Sequence, residues 1–175
     1  EKAISGFRKL TSRDKVVAII GQIHSSNMLA LIKPAENAGI PIFSTQASNV
    51  KITSSKSPNV FRTAAIDPDR AEAWVGFFQQ NGFKKIGIIA ENTDYGVGLV
   101  KLLKTFNKER SLGLSLKPFI FDKNSRDITP QLLQLKNWGA DVVINIGVGD
   151  VAYLIVKQAY DIKLFPETPM VASFD

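Results

Sequence analysis

Short runs rich in β-branched residues alternate with amphipathic segments from one end of this chain to the other, and no other feature restricts its fold so strongly. Val16–Ile20, Ile40–Phe43, Lys85–Ala90, Leu116–Phe121, Asp141–Ile146 and Met170–Phe174 read as strands. Between them Ser26–Ala38, Asp69–Gln80, Gly98–Arg110, Ile128–Trp138 and Val151–Tyr160 carry apolar residues at helical spacing. Gly39, Asn81–Gly82 and Gly139 close three of these helices, Pro130 sits in a first turn, and Pro34 marks a kink or an early stop. Glu1–Ser12 reads as a further helix with Ile4, Phe7 and Leu10 on one face. Strands that alternate with helices argue for an α/β fold of parallel sheets with helices on both faces.

At 175 residues the chain is long enough for one domain or two small ones. Charge divides it. Residues 1–66 hold 9 Lys+Arg against 3 Asp+Glu, whereas residues 67–175 hold 13 of each. Val60–Ile66 therefore reads as an extended crossover between two lobes, 1–66 and 67–175. The basic residues near the N-terminus lack interleaved aromatics, so a solvated helix face explains them better than a nucleic-acid surface. No apolar run approaches the roughly 20 residues of a membrane span. With no cysteine and a single histidine, neither a thiolate nor a His-cluster metal site can form, and no cofactor is expected.

In parallel α/β sheets ligands gather beyond the carboxyl ends of the strands. Four such ends are polar: Gly21–Asn27, Ser44–Asn49, Glu91–Tyr95 and Gly147–Asp150. The first, GQIHSSN, is a strand that stops at glycine and hands over to a helix with hydroxyls at its start. Ser25 or Ser26 is either an N-cap or a donor to an anion at the helix terminus. Ser48 offers a second hydroxyl, Gln46 an amide, and Tyr95 a ring for a ligand. Ser44–Ser57 as a whole is too rich in Ser, Thr and Asn to read as a core element.

Other signals have plainer readings. Gly147–Ala152 fits G-x-G-x-x-[GA] with Glu167 about 20 residues on, which makes an NAD(P)-dependent enzyme the runner-up. Glu167 sits between Pro166 and Pro169, before the next strand and not at its end. Asp94 and Glu91 are better explained as a helix-start cap and a solvated loop charge than as an acid/base pair. His24 is either a ligand contact or a structural loop residue. Trp74, Phe77 and Phe78 fit core packing, and Asp67 and Asp127 fit caps or near-caps.

The order GQIHSSN, AGIPIFSTQASN, NVFRTAAID, KKIGIIAENTDYGVGL and DITPQLLQLKNWGADVVINIGVGD resembles the periplasmic type I solute-binding proteins, in particular the leucine/isoleucine/valine-binding group of ABC transporters. The resemblance covers nearly the whole chain. It implies two Rossmann-like lobes, incomplete here because family members are about twice this length. It implies non-catalytic binding of a small carboxylate-bearing solute, delivered to a membrane permease, or read out by a sensor. It also implies a periplasmic or extracellular protein, with a lipid anchor on a longer N-terminus as one variant. Carried over by residue, Ser25 and Ser48 hold the ligand carboxylate, with Ser26 beside them. Backbone groups of Gln46 and Ala47 contact the ligand, and Tyr95 stacks on it. Val148 stands where a second aromatic is common, and Asp175 is the nearest candidate for binding an α-ammonium.

Overall fold

A computed structural model of the chain describes residues 2–172. The chain separates into two compact units, Glu1–Arg70 and Ala71–Asp175. The division falls inside a continuous helix, a few residues after the change in charge character.

In the first unit, helix α1 (Lys2–Arg8) runs into a π-turn at Lys9–Arg13 and then to strand β1 (Ile19–Ile20). Helix α2 (Ser25–Ala38), strand β2 (Ile42–Ser44), the one-turn helix α3 (Lys51–Ser54) and strand β3 (Val60–Arg62) follow. The strands form a parallel sheet in the order β1-β2-β3. One row, Ile19, Ile42 and Val60, faces the helices, where Phe7, Met28, Leu31, Ala35 and Ile52 complete the core. The next row, Ile20, Phe43 and Phe61, lies on the opposite face, with the two phenylalanine rings stacked at 5.0 Å.

Four expectations change here. The Val16–Ile20 run is not a buried strand: only two residues pair, Val17 is 88% exposed and Ile20 78%. Among the described residues β1 pairs with β2 over Ile19 and Ile20. The Ser/Thr/Asn-rich stretch is not a plain surface loop. Ile52 is fully buried, and Ser44, Ala47, Ser48 and Asn49 are buried with it, because hydrogen bonds satisfy their polar groups. The VFRTAAI segment is not only a connection, since Val60–Arg62 is the third strand of the sheet. Pro34 does not end the helix: α2 continues to Ala38, and Gly39 caps it in the left-handed conformation.

The second unit takes in most of helix α4 (Asp67–Gln80), then β4 (Lys85–Glu91), α5 (Asp94–Glu109), β5 (Ser115–Phe121), α6 (Thr129–Trp138), β6 (Val142–Ile146), α7 (Asp150–Asp161) and β7 (Met170–Ala172). Its parallel sheet has the order β5-β4-β6-β7. Both faces are covered. Ile86, Ile88, Val142 and Ile144 pack with Trp74, Phe78 and Leu99, whereas Ile89 and Val143 pack with Leu132, Leu135 and Ile155. β4 and β6 sit centrally and are buried almost throughout, which is why their sequences run apolar without alternation. Phe77, expected inward, is 36% exposed and meets Phe78 and Phe83 edge-on.

Candidate functional site

Each unit gathers polar residues at the carboxyl ends of its own strands. In the first unit β1 ends at Gly21, whose N–H still donates to Phe43 O, and Gln22 follows with a positive φ of 70°. The chain then turns directly into α2. His24 is the N-cap residue and makes no side-chain cap. Ser25, the first helical residue, is therefore not a conventional cap. Its hydroxyl oxygen accepts the Asn49 amide at 3.3 Å, so the helix start is tied to the loop after β2. In accepting, the hydroxyl keeps its own O–H as a donor. Ser26, half-buried, stands in the first turn of the same helix and takes part in an interaction of its own.

The loop after β2 is held from several sides. Ser44 Oγ donates to Gln22 O and accepts the Ala47 amide, both at 3.1 Å. The Ala47 N–H is thereby used within the protein, while Gln46 is half-buried beside it. Asn49 Oδ1 accepts the Lys51 amide and starts α3. Arg62, the last residue of β3, points its guanidinium at this loop: Nη1 donates to Ser48 O (3.1 Å) and Asn49 O (3.0 Å), and Nη2 to Thr53 Oγ1 (2.6 Å). The Asp67 amide adds a second donor to Ser48 O. Burial lowers the Arg62 pKa from its ordinary value, and the nearby Asp67 and Asp69 carboxylates oppose that shift. Ser48 itself is 1% exposed and Ser25 2%. Thus Ser25, Gln46, Ala47 and Ser48 share one hydrogen-bonded loop pair, and Arg62, Ser44 and Asn49 join them. Sequence reasoning missed Arg62, although an arginine closing an apolar strand (VFR) is the signal that marks it.

In the second unit the Asp94–Gly98 segment is the first turn of α5 and not a loop before it. Thr93 is the N-cap, its hydroxyl accepting the Gly96 amide at 3.2 Å. Gly96 lies so close to the end of β4 that a Cβ there would fall on the Glu91 carbonyl. Tyr95 is 8% exposed and belongs to the apolar cluster of α4, α5, β4 and β6. Its ring packs with the apolar side chains of that cluster.

Glu91 is not a solvated loop charge. It is 3% exposed, and its Oε1 accepts the Val148 amide at 2.6 Å, joining the strand ends of β4 and β6. A carboxylate completes an apolar run (KIGIIAE) at that point, which is the signal for it in the sequence. Asn145, fully buried on β6, accepts the Gly147 amide through Oδ1 and donates to Ala152 O through Nδ2. The amides of Gly147 and Val148 are thus engaged by an amide oxygen and a carboxylate. A pyrophosphate at this G-x-G-x-x-A turn would have to displace both and approach a buried acid, so the geometry argues against the dinucleotide reading. The Val148 side chain is half-buried and packs against the core of this unit. Asp127 acts as the expected near-cap: Oδ1 accepts the Thr129 amide, and hydrogen bonds from Thr129 lower its pKa. Asp175 lies outside the described residues. Among the described residues no group of His, Cys, Asp and Glu is placed to hold a metal, and no helix is long and apolar enough to cross a membrane.

A family model described as a periplasmic binding protein matches residues 1–174. The Leu/Ile/Val-binding protein homolog 7 of Brucella abortus (strain 2308) is 30% identical over 167 residues, covering 90% of this chain and 42% of that protein. The leucine-binding protein LivK of Thermotoga maritima is 26% identical with a TM-score of 0.86, over 98% of this chain and 48% of that one. An ABC-transporter solute-binding protein of R. palustris, crystallised with 4-hydroxybenzoate, shares the fold at a TM-score of 0.87 and 21% identity, over 98% and 46% of the two chains. The chain spans less than half the length of these relatives.

Proposed function

The chain belongs to the periplasmic binding protein family, and on that premise we propose that it is part of an extracytoplasmic, non-catalytic protein that binds a small carboxylate-bearing solute and hands it to an ABC-transporter permease. The observation that carries this reading is the Ser25–Asn49 hydrogen bond at the carboxyl end of the first unit's sheet. It sets a hydroxyl donor in the first turn of α2, where amides precede the first intrahelical bond, Met28 N to His24 O. A helix N-terminus with such a donor favours a carboxylate and offers nothing to a cation. Ser25 and Ser48 are the residues we assign to that carboxylate, with Ser26 and backbone groups of Gln46 and Ala47 around it. The Val148 side chain is assigned to the apolar part of the solute. We assign Asp175 to an α-ammonium only if the solute is an amino acid.

Two solute classes named for relatives suit this reading. The name of the Brucella relative points to aliphatic amino acids, and the R. palustris complex to an aromatic acid. Both carry a carboxylate beside an apolar body. The test is isothermal titration of the full-length protein against branched-chain amino acids and hydroxybenzoates. Saturable binding of an acid, with no heat from its methyl ester, is the expected result. Binding of NAD(H) with no response to any acid would overturn the proposal.

A further inference from the structure

The peptide between Ser48 and Asn49 is engaged at both ends. Its carbonyl, Ser48 O, accepts Arg62 Nη1 at 3.1 Å and the Asp67 amide at 3.0 Å. Its N–H, on Asn49, donates to Ser25 Oγ at 3.3 Å. Arg62 makes a second bond to the carbonyl of the next peptide, Asn49 O, and a third to Thr53 Oγ1 in α3. A planar guanidinium with fixed donor directions can hold two successive carbonyls in one orientation, which a single ammonium cannot. A cation on a peptide carbonyl also polarises the peptide, and the strengthened N–H in turn makes the hydroxyl it contacts a better donor.

We propose that Arg62 is a positioning residue of the solute site, acting through the Ser48–Asn49 peptide to orient and strengthen the Ser25 hydroxyl as a carboxylate donor. This rests on the reading that Ser25 binds the solute carboxylate. Arg62 itself touches no solute in this arrangement. The chain of contacts runs guanidinium, carbonyl, amide, hydroxyl: its first and last links are hydrogen bonds, and the middle one is the Ser48–Asn49 peptide unit itself.

The test is a double-mutant cycle in the full-length protein, titrated with leucine and with benzoate. Arg62→Met is expected to raise the dissociation constant of the acid that binds by about tenfold when Ser25 is present. In a Ser25→Ala background it is expected to have almost no further effect, because its route to the solute is gone. Equal losses in both backgrounds, or none in either, would overturn the proposal while leaving the carboxylate reading intact. Arg62→Lys, which keeps the charge but not the fork, serves if the methionine variant does not fold; a loss confined to the Ser25 background is again expected. Failure of the wild-type protein to bind either acid would overturn the carboxylate reading. The link to Ser25 is then judged by amide exchange in ligand-free protein: Arg62→Met should speed exchange at Asn49 and leave Ile42 unchanged, and unaltered exchange at Asn49 would remove Arg62 from the role.

Discussion

Ser25 Oγ and the Asn49 amide meet at 3.3 Å across the loops that follow two adjacent strands, and both residues are buried. The contact makes Ser25 a structural acceptor as well as the assigned solute donor. Ser25→Ala removes both functions. The Asn49 N–H then lacks its partner in a buried setting, which costs about 1–3 kcal/mol. We expect a lower urea midpoint for the full-length variant and, separately, an affinity for the acid reduced by about 1–3 kcal/mol. A midpoint that does not move would mean that water replaces the hydroxyl.

Glu91 and Val148 are related in the same way in the second unit, with a carboxylate in place of the hydroxyl. Glu91→Ala strands the Val148 amide and opens space at the ends of β4 and β6, and should destabilise by about 1–3 kcal/mol. Glu91→Gln keeps an acceptor of the same reach and should lose less than half of that. Chemical denaturation of the two variants side by side decides the matter; equal losses would show that the charge, and not the Val148 contact, is what counts.

The central elements were legible because the physics that makes them is local. β4 and β6 are flanked by strands on both sides and covered on both faces, so their continuous apolar runs report burial faithfully. Gly39 and Gly139 close their helices for the same local reason. β1 pairs over two residues only, and an apolar run does not by itself say how far a neighbouring strand will pair with it. The site residues divide along the same line. Ser25 and Ser48 stand in hydroxyl-rich strand ends that any reader of the chain would mark. Glu91 finds its partner 57 residues away, and Arg62 is marked by its place at the end of VFR while the backbone carbonyls it binds carry no residue signature. Ile52 is hidden by its Ser/Thr/Asn surroundings, where Ser44, Ser48 and Asn49 are tied down by Gln22, Ser25 and Arg62.

Gly96 and Gly76 make a matched pair. A methyl group at Gly96 would collide with the Glu91 carbonyl, a backbone atom that cannot rotate away, whereas at Gly76 nothing lies within 4 Å. Gly96→Ala should therefore push the first turn of α5 off the end of β4 and destabilise by about 1–3 kcal/mol. Gly76→Ala, inside α4, should stabilise by about 0.5–1 kcal/mol through helix propensity. Thermal unfolding of both variants provides the comparison. Shifts in the same direction would show that α5 relaxes around the added methyl.

Asp141 supplies the pH dependence. Its Oδ2 accepts the amides of Lys84 and Lys85, each at 2.7 Å, where β4 begins. Those two bonds, Lys85 first, hold its pKa below the ordinary carboxylate value, with the Lys85 charge adding to them and burial opposing. A carboxyl group whose folded value is depressed stabilises the fold at pH above its unfolded value. That contribution is lost as pH falls through the folded value. Asp141→Asn cannot titrate, so the stability difference between wild type and variant should be constant above about pH 4 and shrink progressively below it. Asp127, also held low, titrates in both proteins and cancels in the difference. Urea midpoints of the pair at several pH values on either side of that point read the effect directly; a difference independent of pH would mean that the carboxylate charge contributes nothing to the two amide contacts.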